Sequence, residues 1–193
     1  MKKDLVACLR TTLFTLLVTG LAYPLLVTGV SLLLFPGRAR GSLALDEQGA
    51  VVGSELIGQG FAAKGYLQPR PSAVNYDAAG SGGSNLGPTS KALHDRAAAA
   101  VLLLTTENPG AAGPVPAELV STSASGLDPH LSPEAALWQV PRIAAARQVD
   151  PARVRAIVEA HVEGRDLWVL GEPRVNVLLV NLALDRHFGR IRP

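Results

Sequence analysis

Two short stretches of the sequence carry residue types that could do chemistry, and the first is rich in glycine and serine. The run Ser81-Gly82-Gly83-Ser84-Asn85 could hold an anion, because successive backbone amides of a glycine-rich turn can point at one phosphate group. It lacks the lysine and following Ser or Thr of a P-loop, and it does not match the G-x-S-x-G turn of hydrolases. A solvated surface loop is the favoured interpretation. A nucleotide, anion or partner contact at these residues is the alternative.

The second stretch, Asp128-Pro129-His130, sets a carboxylate beside an imidazole, and both groups serve in acid–base and metal sites. The four histidines are scattered and no H-E-x-x-H pair occurs, so no metal ligand is predicted. The single cysteine, Cys8, excludes an intrachain disulfide and a cysteine-based zinc cluster. The residues predict a turn and no catalytic group. An anchored hydrolase that uses Asp128 and His130 stays open as the alternative.

The elements that must position these stretches follow from composition and periodicity. Hydrophobic residues make up 48% of the 193 residues and charged residues 18%, which excludes a disordered chain. From Arg38 onward the sequence contains fifteen Lys and Arg and fifteen Asp and Glu, so the net charge of this part is zero. A neutral body has no basic field, and no nucleic-acid partner is predicted.

Hydrophobic periodicity and turn signals predict a mixed body. A helix over 91–105 should turn Leu93, Ala97, Ala100, Val101 and Leu104 inward. The other predicted elements are short strands within 42–61, a helix from Ser132-Pro133 that Pro141 bends or ends, a helix from Asp150-Pro151 that Gly164 stops, and a strand over 167–170. Residues 175–184 are ambiguous between a buried strand and a helix, and the helix is favoured. The predicted fold class is α+β.

One uncharged run dominates the N-terminal part of the chain. No charged residue occurs between Arg10 and Arg38, a gap of 27 residues, and as a helix this run would span about 40 Å, enough to cross a bilayer. Arg38 and Arg40 stand where a signal-peptide cleavage site would lie, so a retained anchor is favoured. Lys2, Lys3 and Arg10 place the N-terminus in the cytoplasm. The prediction is a cytoplasmic segment 1–10, a single membrane helix 11–37 and one extracytoplasmic, periplasmic-side domain 38–193.

Small side chains recur along the membrane segment at helical spacing. Such a stripe lets helix backbones approach closely in lipid, and threonine can hydrogen-bond across the contact. Pro24 lies in the middle of the segment and should kink the helix. The stripe predicts packing against partner helices, with a simple anchor as the alternative. Its members are Thr12, Thr15, Thr19, Ala22 and Gly29.

Several longer blocks resemble one known family, the C subunit of the bacterial Kdp potassium-transporting P-type ATPase. They run in family order over nearly the whole chain, which makes the match specific. The blocks are Tyr23-Pro24-Leu25-Leu26-Val27-Thr28-Gly29, Gly53-Ser54-Glu55-Leu56-Ile57-Gly58-Gln59, Arg70-Pro71-Ser72-Ala73, Ser81-Gly82-Gly83-Ser84-Asn85-Leu86-Gly87-Pro88, Ser125-Gly126-Leu127-Asp128-Pro129-His130-Leu131-Ser132-Pro133 and Leu170-Gly171-Glu172-Pro173-Arg174-Val175-Asn176-Val177-Leu178.

The resemblance implies a non-catalytic subunit of a four-part pump in the cytoplasmic membrane. Its partners would be a channel-like A subunit that handles K⁺, a phosphorylating P-type B subunit and a small F subunit. The family's role is described as stabilising the complex and as a catalytic chaperone that raises the B subunit's affinity for ATP. The family's Ser-Gly-Gly run, here 81–85, has been likened to the ABC-transporter signature.

The predicted orientation argues against direct ATP contact, because ATP is cytoplasmic and the body is predicted to lie outside. An indirect mechanism is therefore favoured. In it, the membrane helix packs on the partner subunits, the outer domain caps the potassium entrance or braces the A subunit, and the effect on ATP affinity is a shift between pump conformations. A scaffold without influence on transport rate remains a further possibility.

Overall fold

The computed structural model describes residues 1–191, so Arg192 and Pro193, the end of the predicted outer domain, lie outside the described residues. The chain divides into two units, Met1–Leu43 and the residues from Ala44 onward. The first unit contains helices α1 (Lys2–Leu17) and α2 (Tyr23–Leu34), joined by a π-helical turn over Val18–Ala22. A short helix α3 (Pro36–Ala39) follows.

Helices α1 and α2 form one continuous helical segment, Lys2–Leu34, of 33 residues, with none of them buried inside the protein. It is the one helix in the part of the chain that the structure describes that is long and apolar enough to cross a membrane. The π-helical turn ends at Ala22, two residues before Pro24, which has no backbone N–H for a regular helical hydrogen bond. The widened turn is how the helix accommodates the proline that the sequence marks as a disruption.

The second unit is α+β, as predicted. Strand β1 (Leu43–Leu45) pairs with β2 (Val51–Ser54), and a second sheet has the order β3-β5-β4. In that sheet β3 (His130–Leu131) and β4 (Val162–Glu163) flank β5 (Arg174–Asn176), and both pairings are antiparallel. The helices are α4 (Lys91–Glu107), α5 (Pro133–Trp138), α6 (Val140–Arg147), α7 (Pro151–Ala160) and α8 (Val177–Phe188).

Side-chain caps fix where these helices begin. The side chains of Ser132 and Asp150 accept hydrogen bonds from the backbone amides of Ala135 and Ala152, and a proline occupies the first helical position after each cap. Both predicted helix starts are therefore confirmed. Pro141 lies in the first turn of α6, just after the break at Gln139, which confirms that it ends the preceding helix.

The core of the body lies among α5–α8, β3 and β5. Apolar side chains that are almost completely buried come from every one of these elements, and they include Leu131, Ala135, Ile143, Val154, Val158, Val175, Val180 and Leu184. Helix α4, by contrast, has no buried residue. The sheet and the four C-terminal helices thus form the rigid platform on which the loops are mounted.

Two buried amides attach the long irregular segment before α4 to this platform. The Asn181 side chain accepts from the Leu67 amide at 2.7 Å and donates to the Leu67 carbonyl at 2.9 Å. The Gln139 side chain likewise accepts from the Gln68 amide at 2.9 Å and donates to the Gln68 carbonyl at 3.0 Å. A buried backbone needs a partner for each N–H and C=O. The two side-chain amides supply the hydrogen bonds that a neighbouring strand would otherwise make to residues 67 and 68.

The predicted strand over 167–170 is wrong. Asp166 and Leu170 form an isolated antiparallel bridge that closes a turn, and the four residues Leu167–Leu170 are exposed. An apolar run predicts a strand only if a neighbouring strand and a core lie within reach, and this run lies beyond the end of the β4–β5 pair.

Three other boundaries differ from the predictions. The ambiguous run 175–184 is helix from Val177, as favoured, while Val175 and Asn176 belong to β5. Helix α7 ends at Ala160 rather than at Gly164, because Val162 and Glu163 pair with β5. On α4, Leu93, Ala97, Ala100 and Leu104 are half-buried, but Val101 is exposed.

Candidate functional site

The glycine–serine run 81–85 lies along the segment 122–126 rather than standing free in solvent. The Gly82 amide donates to the Ser125 carbonyl at 2.8 Å, and the Ser81 hydroxyl donates to the same carbonyl at 3.1 Å. At the other end of the run, the Thr122 hydroxyl donates to the Ser84 hydroxyl oxygen at 3.1 Å. One backbone amide of the predicted anion cradle, that of Gly82, is therefore already used within the protein.

Two glycines permit this close contact. A Cβ atom on Gly83 would lie 3.0 Å from the Ala124 carbonyl oxygen. Gly126 has a left-handed φ of +69°, and a Cβ there would lie 2.6 Å from Val74 and 2.8 Å from the Gly82 carbonyl oxygen. Glycine allows the two loops to approach backbone to backbone at both positions, and Gly126 also needs it for its left-handed φ.

Asp128 holds the start of β3 and the neighbouring segment together. One carboxylate oxygen accepts from the His130 amide at 3.0 Å, and the other pairs with Arg70 at 3.3 Å. Arg70 also donates to the Thr122 carbonyl at 3.5 Å. The His130 ring nitrogen lies 3.9 Å from the carboxylate, which is too long for a hydrogen bond. Asp128 thus closes an Asx-turn and neutralises an arginine, which is a structural role.

A third segment, 70–76, completes the arrangement. The Ser72 hydroxyl donates to the Gly126 carbonyl at 2.7 Å and accepts from the amides of Val74 and Tyr76. The Tyr76 hydroxyl donates to the Arg70 carbonyl at 2.9 Å, and burial raises the pKa of Tyr76 above its ordinary value. We call residues 70–76, 81–85 and 122–130 together the motif cluster.

The motif cluster brings the predicted loop residues and Asp128 together, but it does not assemble catalytic groups. Within residues 1–191 no hydrogen bond joins the His130 ring to a hydroxyl or thiol, so no nucleophile–base pair is formed there. The same residues contain no group of three His, Cys, Asp or Glu side chains that could hold a metal ion. The hydrolase alternative has no support in this geometry.

The predicted stripe on the apolar helix Lys2–Leu34 is exposed along its whole length. The hydroxyls of Thr15 and Thr19 donate to carbonyls one turn back in their own helix, at 2.7–3.0 Å. The π-helical turn adds one residue, which rotates the residues after it by about 100° around the axis relative to a regular α-helix. Gly29 is therefore rotated around the axis relative to Thr12, Thr15 and Thr19, and packing of the stripe against partner helices stays a prediction.

A cleft that the sequence analysis missed lies beside α8. Its volume is about 440 Å³, and one wall carries Tyr66, Asp185 and Arg186. The Tyr66 hydroxyl donates to Asp185 at 2.9 Å, and burial together with this acceptor raises the pKa of Tyr66. The buried Arg147 guanidinium pairs with Asp185 at 2.8 Å. The lining comes from separate segments within 46–66 and 178–191, so no contiguous sequence motif indicates it.

Comparisons with known proteins agree on one family. The family profile described as KdpC, the c chain of K⁺-transporting ATPase, matches residues 5–186. The potassium-transporting ATPase KdpC subunit of Myxococcus xanthus is 65% identical over 183 residues, which cover 94% of this chain and 87% of that protein. The KdpC subunits of Methylobacterium nodulans and Bradyrhizobium diazoefficiens are each 55% identical, over 188 residues (90% of this chain, 92% of that protein) and 183 residues (88% and 90%).

Proposed function

The chain belongs to the KdpC family, the c chains of K⁺-transporting ATPases, and we propose that it is the accessory subunit of an ATP-driven potassium uptake pump. It stabilises the assembled pump and promotes ATP binding and hydrolysis on the P-type subunit indirectly. ATP and K⁺ are handled by partner subunits. These partners are the channel-like A, P-type B and small F subunits that the resemblance implies.

The motif cluster is the observation that carries this proposal. The loops that match the family best are occupied with one another: Gly82 with Ser125, Ser72 with Gly126, and Arg70 with Asp128. Such loops make a rigid surface that a partner can recognise, whereas catalysis would need a base and a nucleophile within reach of each other. A binding and bracing role therefore fits better than a reaction of the chain's own.

The charge pattern around the membrane helix supports an outer location for the body. Lys2, Lys3 and Arg10 precede the apolar segment, and Arg38 and Arg40 follow it. The larger positive charge on the N-terminal side favours a cytoplasmic N-terminus. We therefore place residues 1–10 inside, the segment 11–37 in the cytoplasmic membrane and the body outside.

This topology makes the effect on ATP affinity a conformational one. The outer body caps the potassium entrance or braces the A subunit, while the membrane helix packs on neighbouring helices. A subunit that binds one pump conformation more tightly than another shifts the population toward it, and the affinity for ATP changes with that population. No atom of this chain needs to touch the nucleotide.

Two measurements test the proposal. The partner subunits are purified in mild detergent with and without the full chain, and K⁺-stimulated ATP hydrolysis is compared. We expect the chain to co-purify, and we expect its omission to lower both the recovery of the complex and the apparent ATP affinity. Equal recovery and equal ATP dependence without the chain would contradict the proposed function.

The topology is tested separately with a reporter fused after residue 193. Activity outside the cytoplasmic membrane is expected. Reporter activity in the cytoplasm would overturn the orientation and would make direct contact between the body and ATP possible.

A further inference from the structure

The tip of the β4–β5 hairpin exposes an apolar surface that the fold does not use. Leu167, Trp168, Val169 and Leu170 are 78%, 93%, 71% and 56% exposed, respectively. We call these four consecutive residues the apolar tip. Single exposed apolar side chains are ordinary on protein surfaces, but a contiguous run of four, with a tryptophan in it, marks an interaction site.

The apolar tip is held in one shape by the residues on either side of it, 163–166 and 171–174, which we call the neck. The backbones of Asp166 and Leu170 exchange hydrogen bonds at 2.8 and 2.9 Å. Below that bridge, Arg174 pairs with Glu163 at 2.9 Å and with Asp166 at 3.1 Å, and Arg165 pairs with Glu172 at 2.7 Å. The hairpin is thus cross-linked by side chains as well as by its ladder.

The backbone of the tip is also held in an uncommon conformation. Leu167 and Trp168 have left-handed φ values of 50° and 69°, which residues with a Cβ atom rarely adopt. Conformations of this kind persist where the surroundings fix them, and they concentrate at binding sites. A side chain presented by a fixed loop loses little freedom on binding, so the tip is preorganised for a partner.

We propose that the apolar tip is a docking prong that inserts Trp168 into an apolar pocket on a partner subunit of the potassium-transporting ATPase. Leu167, Val169 and Leu170 line the mouth of that pocket. Tryptophan in a desolvated pocket, surrounded by contacts that exclude water, is the common arrangement of an energetically dominant interface residue. This inference rests on the proposed function, because it takes the partner to be another subunit of the pump.

Charge on the neck selects a protein partner over the membrane surface. Residues 163–174 contain the carboxylates of Glu163, Asp166 and Glu172 but only the guanidinium groups of Arg165 and Arg174, and both arginines are already paired. Loops and helices that bind anionic lipid surfaces carry an excess of Lys and Arg. The neck has a net charge of −1, which suits a neutral or basic rim on a protein pocket.

Retention by the partner subunits tests the prong directly. Full-length wild-type chain and the variant Trp168→Ser/Leu170→Ser compete for co-purification with the partner subunits in mild detergent. The matched control is Leu102→Ser/Leu103→Ser, which removes leucines of α4 that are 71% and 58% exposed. We expect the tip variant to be retained at least about tenfold less than wild type, as for the loss of a central interface residue, and the control to be retained equally. Equal loss in both variants, or in neither, would overturn the proposal.

Tryptophan fluorescence tests the competing possibility that the apolar tip inserts into the lipid bilayer. The chain has two tryptophans, and Trp138 is only 8% exposed. Full chain is reconstituted without partners into vesicles of brominated phospholipid, and its emission is compared with that of Trp168→Phe, in which Trp138 alone emits. We expect no quenching that is specific to Trp168. Quenching of Trp168 by the brominated lipid would identify the bilayer as the occupant and refute a protein pocket.

Failure of the prong and failure of the proposed function give different results. If wild-type chain does not co-purify with the partner subunits at all, the proposed function fails. If wild-type chain and the tip variant co-purify equally, the accessory role stands and the prong does not.

Discussion

Alanine substitutions at three glycines of the motif cluster separate a packing role of the run 81–85 from a nucleotide-binding role. Gly126 has a φ of +69°, and an added Cβ would meet the Gly82 carbonyl at 2.8 Å. At Gly83 the nearest atom would be the Ala124 carbonyl at 3.0 Å, whereas at Gly82 it would be a Val74 methyl at an ordinary 3.7 Å. The predicted order of damage is Gly126 first, then Gly83, then Gly82.

The magnitudes follow from these contacts. Gly126→Ala combines a left-handed backbone with overpacking, so it should lower the unfolding free energy by about 2–4 kcal/mol. Gly83→Ala requires the Ala124 carbonyl to move by a few tenths of an ångström and should cost about 1 kcal/mol. Gly82→Ala fits without strain, and because alanine restricts the unfolded chain, the effect should lie within about 0.5 kcal/mol of zero.

Thermal unfolding of the full chain in detergent measures this order. For a body of this size the midpoint should fall by roughly 2–4 °C per kcal/mol, so Gly126→Ala gives a large shift and Gly82→Ala almost none. Turnover of each assembled complex, measured alongside, should stay within about twofold of wild type in all three variants. Normal assembly with a collapse of ATP affinity in Gly82→Ala would refute the packing role and indicate that the run binds nucleotide.

Four further outcomes are expected. Asp128→Asn keeps an oxygen for the His130 amide but loses the charge that faces Arg70. Assembly should therefore fall by the equivalent of about 1 kcal/mol, while the turnover of each assembled complex is retained. Lost turnover with intact assembly would mean that Asp128 takes part in chemistry. Arg147→Ala removes the cation that pairs with Asp185, which keeps only the Tyr66 hydroxyl, and leaves the carbonyls of Gly65 and Gly189 without this donor. It should cost about 3 kcal/mol in a urea titration. Arg155→Ala breaks only an exposed pair with Glu159 and should change stability by less than about 0.5 kcal/mol. Burial raises the pKa values of Tyr66 and Tyr76 in the folded state, so the stability that the two neutral hydroxyls contribute is present below the unfolded pKa of 10.0 and is lost as the pH rises above it. Tyrosinate absorbance should show both residues titrating at higher pH in the folded than in the unfolded chain. Equal titration in the two states would contradict the burial argument. Thr19→Leu with Ala22→Leu should reduce recovery of the complex more than Leu17→Phe with Leu25→Phe, and equal recovery would reduce the helix to a simple anchor.

Local patterns in the sequence were sufficient for the elements whose cause is local. The long apolar helix, the caps at Ser132 and Asp150 and the break before Pro141 all depend on residues within a few positions of one another. Neighbouring residues decide such features through hydrogen bonds to the first turn, through the missing N–H of proline and through the absence of charge. The family blocks are likewise visible in the linear sequence.

Features that depend on distant contacts were decided only by the tertiary structure. The apolar run 167–170 has the composition of a strand, but among residues 1–191 no neighbouring strand or core covers it, and it forms an exposed tip. The sequence does not distinguish Gly82 from Gly83, because only the position of Ala124 makes one of them crowded. In the sequence, Asn181 and Gln139 are ordinary polar residues of helical segments. Only the folded chain places the backbone of residues 67 and 68 beside them. The physical reason is that the groups next to a side chain decide what it does. The run 167–170 has no such neighbours among the described residues, whereas the neighbours of the glycine run and of the two amides come from more than 40 to more than 100 positions away in the chain.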